Sequence, residues 1–282
     1  MIFWVASYPK SGNTWLRALL ASYYYSRDGT FDQKLLKKIE QFPQKKNFSN
    51  FDYDQKIVAD TSRFWIKAQE LINLDKKLKF FKTHNILGGL NGNQFTNTKN
   101  TIGCIYIVRD PRNVITSLKN HFEMNDIDAL EFMLNKNKYT YNYHAKNDYS
   151  DFQFISSWEN NYKSWINQKN IPVKLIKYED LHSKTYEVFK DLIKFINISS
   201  KSPNIFNKNK AQKAIYSSSF DSLKTIESKN GFSESILSKK GTKKISFFHL
   251  GPKNNWKNIF SETYQNKLTL KFESNLKELN YI

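Results

Sequence analysis

Lys10, Ser11, Gly12 and Thr14 stand together in Tyr8-Pro9-Lys10-Ser11-Gly12-Asn13-Thr14-Trp15, and these residue types can hold an anion. An apolar run ends in Pro-Lys-Ser-Gly and gives way to a helical pattern, so the stretch reads as strand, tight turn and helix. The turn offers an ammonium, two hydroxyls, free backbone N–H groups and the positive end of a helix dipole to one small volume. Phosphate or sulfate fits there. Nucleoside-triphosphate loops read G-x-x-x-x-G-K-[ST]. Here the lysine precedes the single glycine and no glycine stands upstream. A second cation, Arg109, follows the near-continuous apolar run 102–108, as expected of a parallel strand covered on both faces. Open α/β sheets bind ligands beyond the carboxyl ends of their strands, so Arg109 belongs at the same edge as the loop. Ser117 follows about two helical turns later. A solvated strand end, or a Walker-B-like carboxylate at Asp110, also accounts for Arg109-Asp110.

In order and spacing, residues 8–15 closely resemble the phosphosulfate loop Y-P-K-S-G-T-T-W of sulfotransferases that use 3′-phosphoadenosine 5′-phosphosulfate (PAPS). Only Asn13 departs, at a position whose loop role rests mainly on the backbone. The family's 3′-phosphate motif has an arginine and a serine spaced as Arg109 and Ser117 are. Lys239-Lys240-Gly241, followed by Gly251-Pro252-Lys253-Asn254-Asn255-Trp256-Lys257-Asn258, resembles its C-terminal R-K-G and G-x-W-K-N. Lys239 replaces the usual arginine, and a lysine is a point charge without the bidentate fork; a solvated loop is the alternative for these two lysines. Tyr178 resembles the family's adenine-contacting tyrosine, Trp15 its stacking tryptophan, and Phe220, preceded by Ser218 and Ser219, its second aromatic. Core packing is the alternative for each ring. The resemblance spans residues 2 to about 260 and is strongest in the first two motifs.

The resemblance implies sulfuryl transfer from PAPS to a hydroxyl or amine, releasing the desulfated nucleotide PAP. Such transfer needs a base for the acceptor proton and cations where the leaving phosphate gains charge. The family's catalytic histidine stands in K-T-H, which carries over to Lys82-Thr83-His84. Lys10 and Lys82 would bracket the transferring group, and no metal is implied. The motif then departs, running Asn85-Ile86-Leu87 where leucine and proline are usual, which puts the acceptor in question: a small molecule, a lipid or a glycan. His144, in the aromatic-rich stretch 139–144, is the second candidate base.

These residues need a scaffold. Apolar segments at 2–7, 56–60, 78–83, 102–108 and 173–178 alternate with helical patterns, which indicates an α/β fold: a P-loop-like parallel sheet flanked by helices, one domain over 1–282. Leu16, Leu19, Leu20, Tyr23 and Tyr24 share one helix face. Residues 123–157 break the rhythm and read as an insertion or lid over the acceptor site, or as a surface loop. Residues 199–250 read as irregular chain leading to the 3′-phosphate loop. A C-terminal helix capped by Ser261 carries Tyr264, Leu268, Phe272 and Leu276 on one face.

Net charge is +18, from 44 basic and 26 acidic residues. Such a field attracts nucleic acid, anionic lipid or acidic glycans alike. The basic residues are 39 lysines and 5 arginines, a bias that A-rich codon usage also produces, so charge identifies no partner. The single cysteine, Cys104, lies in an apolar run, which excludes a disulfide framework. A first strand starting at residue 2 leaves no room for a signal peptide, and no run approaches the ~18 apolar residues of a membrane span. A cytoplasmic enzyme is expected. A P-loop kinase shares strand, loop and helix; a nucleic-acid-binding module would use the lysines and tyrosines but leaves the ordered motifs unexplained, so no nucleic acid is expected as partner.

Overall fold

The computed structural model describes residues 1–142, 146–239, 241 and 243–282. Its strands are β1 (Ile2–Ala6), β2 (Lys79–Thr83), β3 (Gly89–Leu90), β4 (Asn93–Gln94), β5 (Thr101–Val108), β6 (Tyr139–Thr140), β7 (Gln153–Phe154) and β8 (Val173–Lys177). The helices begin with α1 (Asn13–Tyr25), α2 (Trp65–Ile72), α3 (Pro111–Phe122), α4 (Asp126–Leu134) and α5 (Trp158–Ile166). They continue with α6 (Tyr178–Ser183), α7 (Thr185–Ser199), α8 (Lys208–Ser217), α9 (Phe220–Asn230), α10 (Glu262–Lys271) and α11 (Glu273–Glu278).

A four-stranded parallel sheet in the order β2-β1-β5-β8 forms the centre. The alternation of side chains along a strand explains why β1 is apolar throughout. Trp4 and Ala6 face a layer containing Phe42, Trp65, Phe95, Trp158 and Trp165. Phe3 and Val5 face Leu16, Leu19 and Leu20 of α1 and Leu192, Ile193 and Ile196 of α7. With both faces covered, the sheet leaves only its edges for function. At the carboxyl edge, β1 runs into the loop before α1, β2 into Lys82 and His84, β5 into Arg109, and β8 into Tyr178.

Three expectations require correction. Residues 56–60 form a turn rather than a strand, because side-chain carboxylates outcompete a ladder there. Asp54 accepts from the Lys56 N–H at 2.8 Å, and Asp60 from the Asp54 N–H at 2.9 Å. Within 123–157, α4 is a core helix: Asn125 caps it by accepting from Asp128, and Ala129, Leu130, Phe132 and Met133 are buried. The β6–β7 pair that follows is a two-stranded antiparallel ribbon separate from the main sheet. Within 199–250, α8 and α9 are regular helices capped by Asn207 and Ser219, which among the described residues confines the irregular chain before Gly251 to the segments on either side of them. The C-terminal pattern holds, with Ser261 accepting from the Tyr264 N–H and Leu268, Phe272 and Leu276 buried, although the helix divides at Phe272.

Candidate active site

A cavity of about 1100 Å³ opens at the carboxyl edge of the sheet. Its floor is the loop between β1 and α1. Gly12 has φ +100°, and a Cβ there would meet the Tyr178 ring at 2.5 Å, so the turn admits only glycine. Lys10 also lies at positive φ, 66°, an uncommon conformation for a lysine that turns the chain back over the strand end. Among the described residues no side chain caps the start of α1, and its first-turn N–H groups face the ligand side of the loop, as the open N-terminus of a helix does. The Asn13 amide donates to Val5 O at 2.9 Å and to Ser7 Oγ at 3.2 Å, so this side chain braces the loop in addition to its backbone role.

Lys10, Lys82 and Arg109 all line the cavity. The Lys10 ammonium sits 3.9 Å from the centre of the Phe247 ring. Desolvation is the main reason its pKa falls to about 7, with the positive charges of Lys82 and Arg109 adding to the drop and Glu234 opposing it. Lys82 is lowered too, again mainly by desolvation. Arg109 stacks 4.1 Å over the Tyr178 ring, donates to Gly251 O at 3.0 Å and lies 3.4 Å from Ser117 Oγ. The motif pair Arg109 and Ser117 is therefore brought together. Asp110 is engaged elsewhere: it caps α3 and pairs with buried Arg112 at 2.8 Å.

Several buried polar atoms here have no partner among the described residues, namely Ser11 Oγ, Trp15 Nε1 and Arg109 Nε. Orphaned donors on an anion loop fit a phosphorylated ligand, since buried polar groups are otherwise satisfied. Trp15 and Tyr178 meet edge-on at 5.7 Å and line the cavity with Phe220.

His84 follows β2 and is fixed on three sides. Its N–H donates to Gln153 Oε1 at 2.8 Å, its carbonyl accepts from Asn161 Nδ2, and Nδ1 lies 2.7 Å from Ser7 O. A carbonyl only accepts, so Nδ1 carries the proton and Nε2 keeps the lone pair. Desolvation first, then the Lys82 charge, lowers the ring pKa to about 3, which keeps the imidazole neutral. The β6–β7 ribbon pairs Thr140 with Gln153, the residue that holds the His84 N–H, and Thr140 and Lys138 line the cavity together with Phe132 of α4.

Other expected residues are placed differently. Ser218 is fully buried, its hydroxyl donating to Ala214 O at 2.6 Å, and Ser219 lines the cavity instead. Gly241 is exposed and does not line the cavity; the glycine beside Arg109 and Phe220 is Gly251, where a Cβ would strike the Phe220 ring at 2.1 Å. Lys239 borders the cavity, but its ammonium donates to Glu123 O at 2.8 Å. Lys240 and His144 lie outside the described residues.

Sequence reasoning missed Arg17, His121 and Glu234, and gave Asn254 no role of its own within the 251–258 segment. Asn254 donates to Asn113 O and Ser117 Oγ and so holds the Gly251 turn against α3. His121 follows Ser117 by one helical turn and lines the cavity, a spacing that could have marked it. Glu234 enters the cation cluster through Arg17 and Thr14, more than 200 residues away in sequence, and through Lys82, more than 150 away, separations for which no local pattern exists.

A parallel sheet whose strand ends bring cations, aromatic rings and a fixed histidine to one cavity defines an α/β protein built to bind an anionic, aromatic ligand. The chain belongs to the sulfotransferase domain family, whose model it matches over residues 2–280. Comparison with curated protein sequences found no match. Among solved structures it is similar to a mouse sulfotransferase complexed with PAP, at 19% identity and a TM-score of 0.58, covering 98% of this chain and 84% of that one. It is also similar to a retinol dehydratase in complex with retinol and PAP, at 17% identity and a TM-score of 0.60, covering 98% and 81%. At these identities the likeness establishes the fold. No helix among the described residues is long and apolar enough to cross a membrane.

Proposed function

We propose that this protein transfers the sulfuryl group of PAPS to a hydroxyl acceptor, with His84 as base. The observation that carries this reading is the convergence of Lys10, Lys82 and Arg109 with a neutral, Nδ1-anchored His84 on one cavity. The Lys10 loop and the start of α1 would take the 5′-phosphosulfate, Arg109 and Ser117 the 3′-phosphate, and Trp15, Tyr178 and Phe220 the adenine. In the transfer, His84 Nε2 accepts the acceptor's proton as its oxygen bonds to sulfur. The bond from sulfur to the bridging oxygen breaks, and the electron pair leaves with the 5′-phosphate, where Lys10 and Lys82 meet the growing charge. A neutral histidine suits this role, because an imidazolium has no lone pair to offer. The aromatic and apolar wall of Phe122, Met124 and Phe132 favours an acceptor with an apolar body. The similar structures include retinol dehydratase complexes with retinol and with androsterone, small alcohols of that kind.

The test is incubation with radiolabelled PAPS and a metabolite extract, followed by mass identification of the product. Label transferred to an alcohol or phenol with matching PAP release is expected; label released only as free sulfate would overturn the reading. Phosphoryl transfer from ATP is the second reading, and the pairing of Asp110 with Arg112 speaks against it, since that carboxylate is already engaged.

A further inference from the structure

The chain between α9 and Gly251 lays a carboxylate among the cations of the anion site. Glu234 Oε1 accepts from Arg17 Nη1 at 2.5 Å, while Oε2 accepts from Thr14 Oγ1 at 2.8 Å and stands 3.8 Å from Lys82 Nζ. Arg17 is only 4% exposed and also donates to Ile39 O and Leu36 O, so it is a fixed anchor. At 3.8 Å the Lys82 ammonium is too far for a hydrogen bond and keeps its donors for a ligand, yet it feels the full charge.

That charge has a specific use. Lys10 faces Glu234, Lys82, Arg109 and, from α9, Glu227; Lys82 faces Glu234 and Arg17. His84 and His121, which also line the cavity, are both lowered to about 3 by desolvation first and stay neutral near pH 7, while the charged groups Glu123, Lys138, Asp151, Asp221, Lys239 and Lys253 stand elsewhere along its wall. Clustered, desolvated lysines tend to lose their protons, and a neutral lysine attracts no phosphate. We propose that Glu234 is a positioning residue for sulfuryl transfer: anchored by Arg17 and set against Lys82, it is the resident counter-charge that steadies the Lys10 and Lys82 cations of this cavity until the phosphosulfate arrives. The inference rests on the PAPS reading above and adds a residue to it. Glu234 carries a cost as well, since its carboxylate repels the same ligand. Benefit and cost separate with pH. Where both lysines are charged in any case, Glu234 only repels; where they titrate, it preserves the charge that binds.

The experiment is calorimetric PAP binding by the full chain against pH at fixed ionic strength, for wild type, Glu234→Gln and Glu234→Asp. Wild-type affinity is expected to decline above about pH 7, as Lys10 loses its proton. In Glu234→Gln that decline should begin ~1 pH unit or more lower, the usual effect of removing an opposite charge within a few ångströms. At the acid end this variant should bind PAP as tightly as wild type or tighter, so the two curves cross. Glu234→Asp keeps the charge but withdraws it, and should fall between them; it serves as the test if the Gln form does not fold. A loss of affinity that is uniform with pH would mean that Glu234 is only a structural ion pair. A gain uniform with pH would mean that it is only a plug. Either overturns the proposal, as does an unshifted Glu234→Asp curve. Absence of PAP binding by wild type at every pH would overturn the PAPS reading itself and this inference with it.

Discussion

The loop at 8–15 and the strap at 231–250 meet across the same cavity and are built on opposite principles. The loop hangs from a fully buried strand, and its shape follows from adjacent residues: Gly12 at φ +100°, Lys10 at φ 66°, and Asn13 tied to Val5. Among its described residues the strap contains no helix, and its carboxylate contacts include Glu123, which accepts from the Lys239 N–H, Glu227 and Glu234. Glu227 of α9 accepts from the Ser235 and Ser246 hydroxyls and from the Phe247 and Phe248 N–H groups, gathering both ends of the strap onto that helix. Glu234 then docks it on Thr14 and Arg17. The loop is rigid by local geometry, whereas the strap depends on charge, and that difference suits a site in which one wall binds the anion and the other adjusts the field around it.

The largest expected effect lies on neither wall. His84→Ala should lower turnover by roughly 10²–10⁴-fold, as for removal of a general base, and leave PAP affinity nearly unchanged, because its partner is the acceptor. Near-normal turnover in steady-state assays at neutral pH would move the base elsewhere, with His121 the next residue to examine. Lys10→Ala should reduce both turnover and PAP affinity, because the ammonium meets the phosphosulfate in ground and transition states alike; a fall in turnover alone would detach Lys10 from ground-state binding. Arg109→Ala should weaken PAP by roughly 10–100-fold, the scale of a lost charge-assisted hydrogen bond, and hardly affect adenosine 5′-phosphosulfate, which lacks the 3′-phosphate. Equal losses for the two ligands would remove Arg109 from the 3′-phosphate site.

The strap should respond in a different currency. Glu227→Gln is expected to speed hydrogen exchange at the Phe247 and Phe248 amides while the β1 and β5 amides keep their protection, since local opening follows local bonding. Global loss of protection would show that the strap and the sheet unfold as one unit. Lys10 also gives the unliganded protein a pH signature. Its folded pKa, about 7, lies below the ordinary lysine value, so between those two values the unfolded chain binds more protons. Its contribution to stability is therefore unfavourable below about pH 7 and is relieved as pH rises through the alkaline range, which denaturant midpoints measured across that range would reveal.

Legibility in the sequence followed the same division. Residues 8–15 were readable because strand, turn and helix are consecutive there, and Arg109 because a long apolar run ends on it. Residues 56–60 misled because Ile57 and Val58 suggest a strand while the Asp54 and Asp60 bonds that fold the turn are side-chain features. The buried face of α4 was overlooked beside the polar, aromatic chain that follows it. Lys239-Lys240-Gly241 drew attention as a charged tripeptide with glycine, yet the close approach to Phe220 and Arg109 falls to Gly251, ten residues further on. Glu234 and Arg17 form a pair that exists only in three dimensions.

The central claim is that the cation loop and Arg109 together read a nucleotide bearing both 5′- and 3′-phosphates. Calorimetric titration of the wild-type chain with PAP, set beside ATP with and without magnesium, tests it most directly. The account predicts one saturable PAP site, markedly tighter than ATP and indifferent to magnesium. Magnesium-dependent ATP binding tighter than PAP would contradict it.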